Sequence, residues 1–141
     1  MTQEEKQLLL RDLCARLPYG LQIHITSDEC DDGFQSGEFD NTLRYHHLEA
    51  FVCDRIEIKP YLRPMSSMTE EERRYLLEEF GFDEDLENWE LNDFGSYVYR
   101  NVNVLPLFDW LNAHHFDYRG LIEKGLALEA PEGMYNSTNN A

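Results

Sequence analysis

Two pairs of adjacent histidines, His46-His47 and His114-His115, are the side chains of this sequence best suited to chemistry. Neutral imidazoles joined by a carboxylate such as Asp117 or Asp109 are the donors that zinc or iron takes. Neighbouring residues on a helix point about 100° apart, so one pair cannot turn both rings onto one ion. A site would need one histidine from each pair plus an aspartate, and a small metal-dependent enzyme built on His46 or His47 with His114 or His115 is the alternative this pattern allows. Packing competes with it: His114 falls at helical spacing beneath Trp110, and His115 falls at the negative end of the same helix. Other catalytic signatures are absent, with no glycine-rich phosphate loop, no G-x-S-x-G elbow and no H-E-x-x-H. Carboxylate pairs could be drawn from anywhere among 28 acids, so they single out no site. Cys14 and Cys53 have no base beside them and read as small buried hydrophobes. No catalytic residue and no cofactor is assigned, and the chain leans away from an enzyme.

The charge is more directive. Twelve basic against 28 acidic residues give −16, a field that repels phosphate backbones and anionic lipids and favours a basic protein surface as partner. Thr69 to Gly95 holds eleven of the acids and two of the bases, interleaved with Phe82, Leu86, Trp89, Leu91 and Phe94. Glu84, Asp85 and Glu87 with Trp89 and Phe94 are the candidate partner-binding residues, the acids steering and the rings anchoring.

The positioning elements follow from periodicity and punctuation. Thr2 and Glu5 have capping-box spacing, and Leu10, Leu13, Cys14 and Leu17 predict one face of a helix from Gln3 to about Arg16. Leu21, Ile23 and Ile25 alternate with polar residues as a half-buried strand does. Ser27 to Gly37 reads as a loop or a wide hairpin connection. Apolar content predicts strands at Thr42–His47, Glu49–Cys53 and Arg55–Lys59, and Pro60 and Pro64 bound an extended connector that cannot donate to a sheet from either proline. Thr69 and Glu72 repeat the capping box ahead of a helix to Phe80, which Gly81 stops. A short helix at Asp83–Trp89 and a strand within Ser96–Val104, with helix competing, follow. Pro106 opens a helix to His114, and Asp117 caps a second from Tyr118 to Lys124 that Gly125 stops, making a helical hairpin. Arg119 should pair internally with an acid such as Asp109, Asp117 or Glu123.

Trp110 to Met134, Lys59 to Glu72 and, more briefly, Leu13 to Gly20 resemble strings in small proteins encoded by bacteriophages and mobile elements of gut bacteria. The likeness covers about half of the chain, and the middle, Leu21 to Ile58 and Leu76 to Leu107, departs from it. It implies a genomic setting and brings no activity or site residue with it.

A chain of 141 residues, 42% hydrophobic and 13% aromatic, can bury one sizeable core. The expectation is an α+β fold: a small antiparallel sheet or partial barrel, an N-terminal helix, a charged middle helix and the C-terminal hairpin. Residues 1–130 would form one domain and 131–141 a flexible tail. Three cysteines without a C-x-x-C pair, no leader and no long apolar run point to the cytoplasm and away from membranes. The function expected is a non-catalytic acidic accessory or interaction protein, phage- or mobile-element-encoded, that binds a basic host or phage protein surface. A structural or assembly component is the further alternative.

Overall fold

The computed structural model describes residues 1–27, 36–80, 89–91, 97–99 and 104–135. The elements in chain order are α1 (Gln3–Arg16), β1 (Gln22–Ser27), β2 (Gly37–Thr42), α2 (Tyr45–Val52), β3 (Ile56–Leu62), α3 (Glu70–Phe80), β4 (Trp89–Leu91), β5 (Tyr97–Tyr99), α4 (Val104–Ala113) and β6 (Leu128–Glu129). The fold is α+β as expected, but the sheet is mixed. Its order is β2-β1-β3-β6, with β1 antiparallel to both neighbours and β6 parallel to β3, and β4 and β5 form a separate antiparallel pair. Among the described residues the linear strand order leaves β2 and β6 as edges.

Alternation along β1 turns Ile23 and Ile25 to one face, where they join Ile56 and Ile58 of β3, Leu9 and Leu13 of α1 and Leu48 and Phe51 of α2 in one core cluster. A second cluster, around Leu76, Leu107, Leu111 and Phe116, joins α3 to α4. Thr2 and Glu5 form the expected capping box of α1. The buried stripe of that helix is Leu9, Asp12, Leu13 and Arg16; Cys14 and Cys53 are exposed, contrary to the expected burial.

Three expectations are corrected. The strands foreseen at Thr42–His47 and Glu49–Cys53 are α2, because His47, Leu48 and Phe51 recur at helical spacing and face the core together. Asp54, at φ 61°, ends that helix in the left-handed conformation while Arg55 N–H returns to the Ala50 carbonyl. The second helix of the hairpin is also absent: residues 118–125 form turns. Gly120 at φ 73° breaks the helical path, and Asp117 accepts from Leu121 N–H and Ile122 N–H, beyond the reach of a helix cap.

Pro60, thirdly, lies inside β3 opposite Ile23. The Tyr61 carbonyl points back to β1, where the Tyr135 hydroxyl donates to it at 2.9 Å and accepts from Gln22 N–H at 2.7 Å. Alternation therefore turns the Pro60 nitrogen to the opposite edge, which β6 joins only from Tyr61 onward. The same tyrosine carries the fold past Pro131, where the tail was expected to start. Trp89 opens β4 opposite Tyr99 and so is not the end of a helix, and β5 lies where a strand competed with helix. Residues 28–35 of the expected loop and 83–88 of the expected short helix lie outside the described residues.

Candidate functional site: an acidic and aromatic face on α3 and α4

Thr69 Oγ1 accepts from Glu72 N–H at 3.2 Å while the Glu72 carboxylate accepts from Thr69 N–H at 2.9 Å, which fixes the start of α3. The same carboxylate receives the Arg63 fork through two bonds of 2.9 and 2.7 Å. Burial alone would raise the Glu72 pKa; the Arg63 fork and the Thr69 N–H outweigh it and hold the group below the usual range. Arg63 stands at the end of β3, in register with Phe116, and exchanges backbone bonds with His115 and Asp117. Its guanidinium lies 4.1 Å from the centre of the Phe116 ring.

From Phe116 a series of rings runs outward. Phe116 stacks on Trp110 at 5.8 Å, Trp110 on His114 at 4.0 Å and Tyr75 of α3 on Trp110 at 5.7 Å. His114 Nδ1 is 2.9 Å from the Trp110 carbonyl one turn back, which holds the imidazole against the indole. Tyr75 is 44% exposed and Leu77, on the other flank of α3, is 55% exposed. Around them Glu70, Glu71, Glu78 and Glu79 are exposed, with Arg73 and Arg74, while Glu72 and Leu76 face inward.

Helical geometry sorts these residues into ridges of four-residue spacing. Glu70, Arg74 and Glu78 share one ridge, so opposite charges are neighbours along it. Glu71, Tyr75 and Glu79 share another, with no base on it and its two carboxylates roughly 12 Å apart along the axis. Tyr75, the ring nearest solvent, therefore sits between two acids.

The histidines are used otherwise. His47 Nδ1 accepts from Arg44 N–H at 2.9 Å at the start of α2, and burial, with the neighbouring His46, lowers its pKa to about 4. His115 is buried at φ 63° and stacks on Tyr135 at 3.9 Å; burial, with Arg16 nearby, lowers its pKa to about 3. Both Asp117 oxygens accept backbone N–H bonds, and burial raises its pKa against that support. Among the described residues no group of three or more His, Cys, Asp or Glu is placed to hold a metal ion, so the histidine pairs are not brought together with Asp117 into such a site.

Between the two core clusters runs a buried ionic seam. Asp12 is bonded by Arg16 at 2.9 Å and by Arg119 at 2.7 Å, and Arg16 also donates to the Phe116 carbonyl at 2.6 Å. Arg119 pairs internally as expected, though with Asp12, more than a hundred residues away in sequence.

Of the candidate partner-binding residues, Glu84, Asp85, Glu87 and Phe94 lie outside the described residues, and Trp89 is placed only as the first residue of β4. The sequence reading missed the outer sheet face. There His24 Nδ1 is 2.9 Å from the Asp40 carboxylate, which also accepts from the Tyr61 hydroxyl at 2.8 Å. The His24 contact, then that of Tyr61, lowers the Asp40 pKa. The alternation of β1 places His24 on the outer face, but only strand register reveals its partners. Two surface grooves, of about 300 and 280 Å³, have no histidine or cysteine in their described lining. No helix among the described residues is long and apolar enough to cross a membrane. Comparison with protein-family models, curated proteins and solved structures finds no match.

Proposed function

We propose that the protein is a non-catalytic accessory protein that acts in the cytoplasm by binding a basic protein surface of host or phage origin, and that a phage or mobile element encodes it. The observation that carries this reading is the exposed side of α3, where four glutamates surround the half-exposed Tyr75 and Leu77. Carboxylates speed and orient the encounter with a basic face, and large apolar side chains among them supply contact area. The acidic residues 81–95 extend the same charge along the chain, which is why Glu84, Asp85, Glu87, Trp89 and Phe94 belong to the proposed surface. Several cations are already engaged inside the fold, Arg16 and Arg119 with Asp12 and Arg63 with Glu72. The charge offered outward is correspondingly acidic, a poor match for nucleic acid or anionic lipid.

Capture from host lysate tests the reading, using the immobilised chain beside a variant with Glu70, Glu71, Glu78 and Glu79 replaced by Gln. A stoichiometric basic partner held at low salt, released at high salt and lost from the variant supports it. Equal capture by both proteins at every salt concentration contradicts it.

A further inference from the structure

We infer that the edge of β3 beside Ile58 takes one extended peptide segment of a partner protein by strand addition, a contact separate from the acidic side of α3. Alternation along β3 sets which peptide groups face outward. The Tyr61 carbonyl faces β1, and the Leu62 carbonyl accepts from Ala130 N–H at 2.8 Å on the β6 side. Ile58, an even number of residues before Leu62, therefore turns its N–H and carbonyl to the β6 side as well. Among the described residues β6 covers only Tyr61 and Leu62 there, and Pro60 has no N–H with which to extend that ladder. The chain entering β6 bends away instead. Gly125 is at φ 74°, and the N–H groups of Gly125 and Leu126 return to the carbonyls of Ile122 and Leu121.

The gap left at this edge is the groove of about 300 Å³, which runs from Glu5 and Leu9 of α1 across Ile58 to Leu126. Leu9, Ile58 and Leu126 belong to the main core, so a side chain entering on that face of the sheet meets aliphatic carbon. Glu57 and Lys59 are exposed on the other face. An open strand edge beside an apolar lining is what strand addition uses: main-chain bonds give affinity and alternate side chains give specificity. Antiparallel pairing lets a single incoming residue exchange both bonds with Ile58. It also sets the two flanking residues opposite Lys59 and Glu57, so charge complementarity selects a segment that reads acidic, aliphatic, basic in that order. The far edge of the sheet is guarded by comparison, since Asn41 Oδ1 takes the Thr42 N–H at 2.8 Å.

The test is amide hydrogen exchange of the intact protein, alone and with a capped Thr-Asp-Val-Lys-Thr peptide, beside titration with that peptide and with its reordered form Thr-Lys-Val-Asp-Thr. Without peptide the Ile58 amide should exchange faster than those of Glu57 and Lys59, which face β1, and with the first peptide it should slow. The first peptide should bind roughly three- to tenfold more tightly than the second, and N-methylation of its valine should weaken it roughly two- to tenfold. Glu57→Lys with Lys59→Glu, both at exposed positions, should reverse the preference between the two peptides. An Ile58 amide as protected as its neighbours in the free monomer, failure of both peptides to bind, or binding that leaves Ile58 exchange unchanged overturns the inference. Self-association of the chain that protects Ile58 without peptide would put a second copy at this edge and overturns the peptide occupant.

Discussion

Arg63 lies over the ring of Phe116, its guanidinium carbon 4.1 Å from the ring centre, at the point where the end of β3 exchanges backbone bonds with the chain leaving α4. The pair joins sheet to helix, because Glu72 of α3 clamps the same guanidinium and Trp110 of α4 stacks on the same ring. The face proposed for partner binding therefore inherits its geometry from the interior.

Glu72→Gln should destabilise the protein by about 3 kcal/mol, because Arg63 would keep its largely buried charge without a counterion. Urea unfolding of the two proteins measures the difference. A loss near zero would mean that the pair does not hold α3 to the end of β3.

His115 and His47 give stability a dependence on pH of calculable sign. Their pKa values, about 3 and about 4 when folded, lie below the 6.5 of an unfolded histidine. The unfolded chain thus binds the extra protons as pH falls, and stability present above about 6.5 declines below it, by up to about 1.4 kcal/mol per pH unit for each histidine. Between pH 6.5 and 5 the carboxylates with lowered pKa values contribute little, while Asp117, whose pKa burial raises, contributes with the opposite sign, so the part due to His115 is read from its variant. His115→Asn, a residue that tolerates positive φ, should shallow the slope measured by denaturation at a series of pH values.

Tyr135→Phe should cost about 1–2 kcal/mol, since the hydroxyl relays between Gln22 N–H and the Tyr61 carbonyl and its loss leaves both without that partner. Native-state hydrogen exchange at Gln22 should quicken by a corresponding factor. Unchanged exchange there would show that the relay does not hold the end of β1 to β3.

Local signals were readable in advance where one residue type settles a backbone group. The Thr2–Glu5 and Thr69–Glu72 boxes start helices as expected, and the alternation of Ile23 and Ile25 is a strand. The errors arose where local preference and tertiary demand diverge. Phe51 and Val52 favour strand by type, yet α2 lays its apolar face on the sheet; Gly120 looked like an interior helix residue and is a left-handed turn. The ring series was half visible. Trp110 and His114 are one turn apart in sequence, but the approach of Tyr75, Phe116 and Arg63 depends on how α3, α4 and the end of β3 meet. His24 with Asp40, and Arg119 with Asp12, are likewise products of register and long-range packing.

The most direct test of the account is the ionic-strength dependence of affinity between the intact chain and the partner it captures. It should be measured for the native protein, for Glu71→Gln with Glu79→Gln, and for amide replacements of Glu84, Asp85 and Glu87. The account predicts weaker binding at low salt and a shallower slope in both variants, converging on the native value at high salt. Parallel slopes and equal affinities would place the interaction elsewhere on the molecule and contradict it.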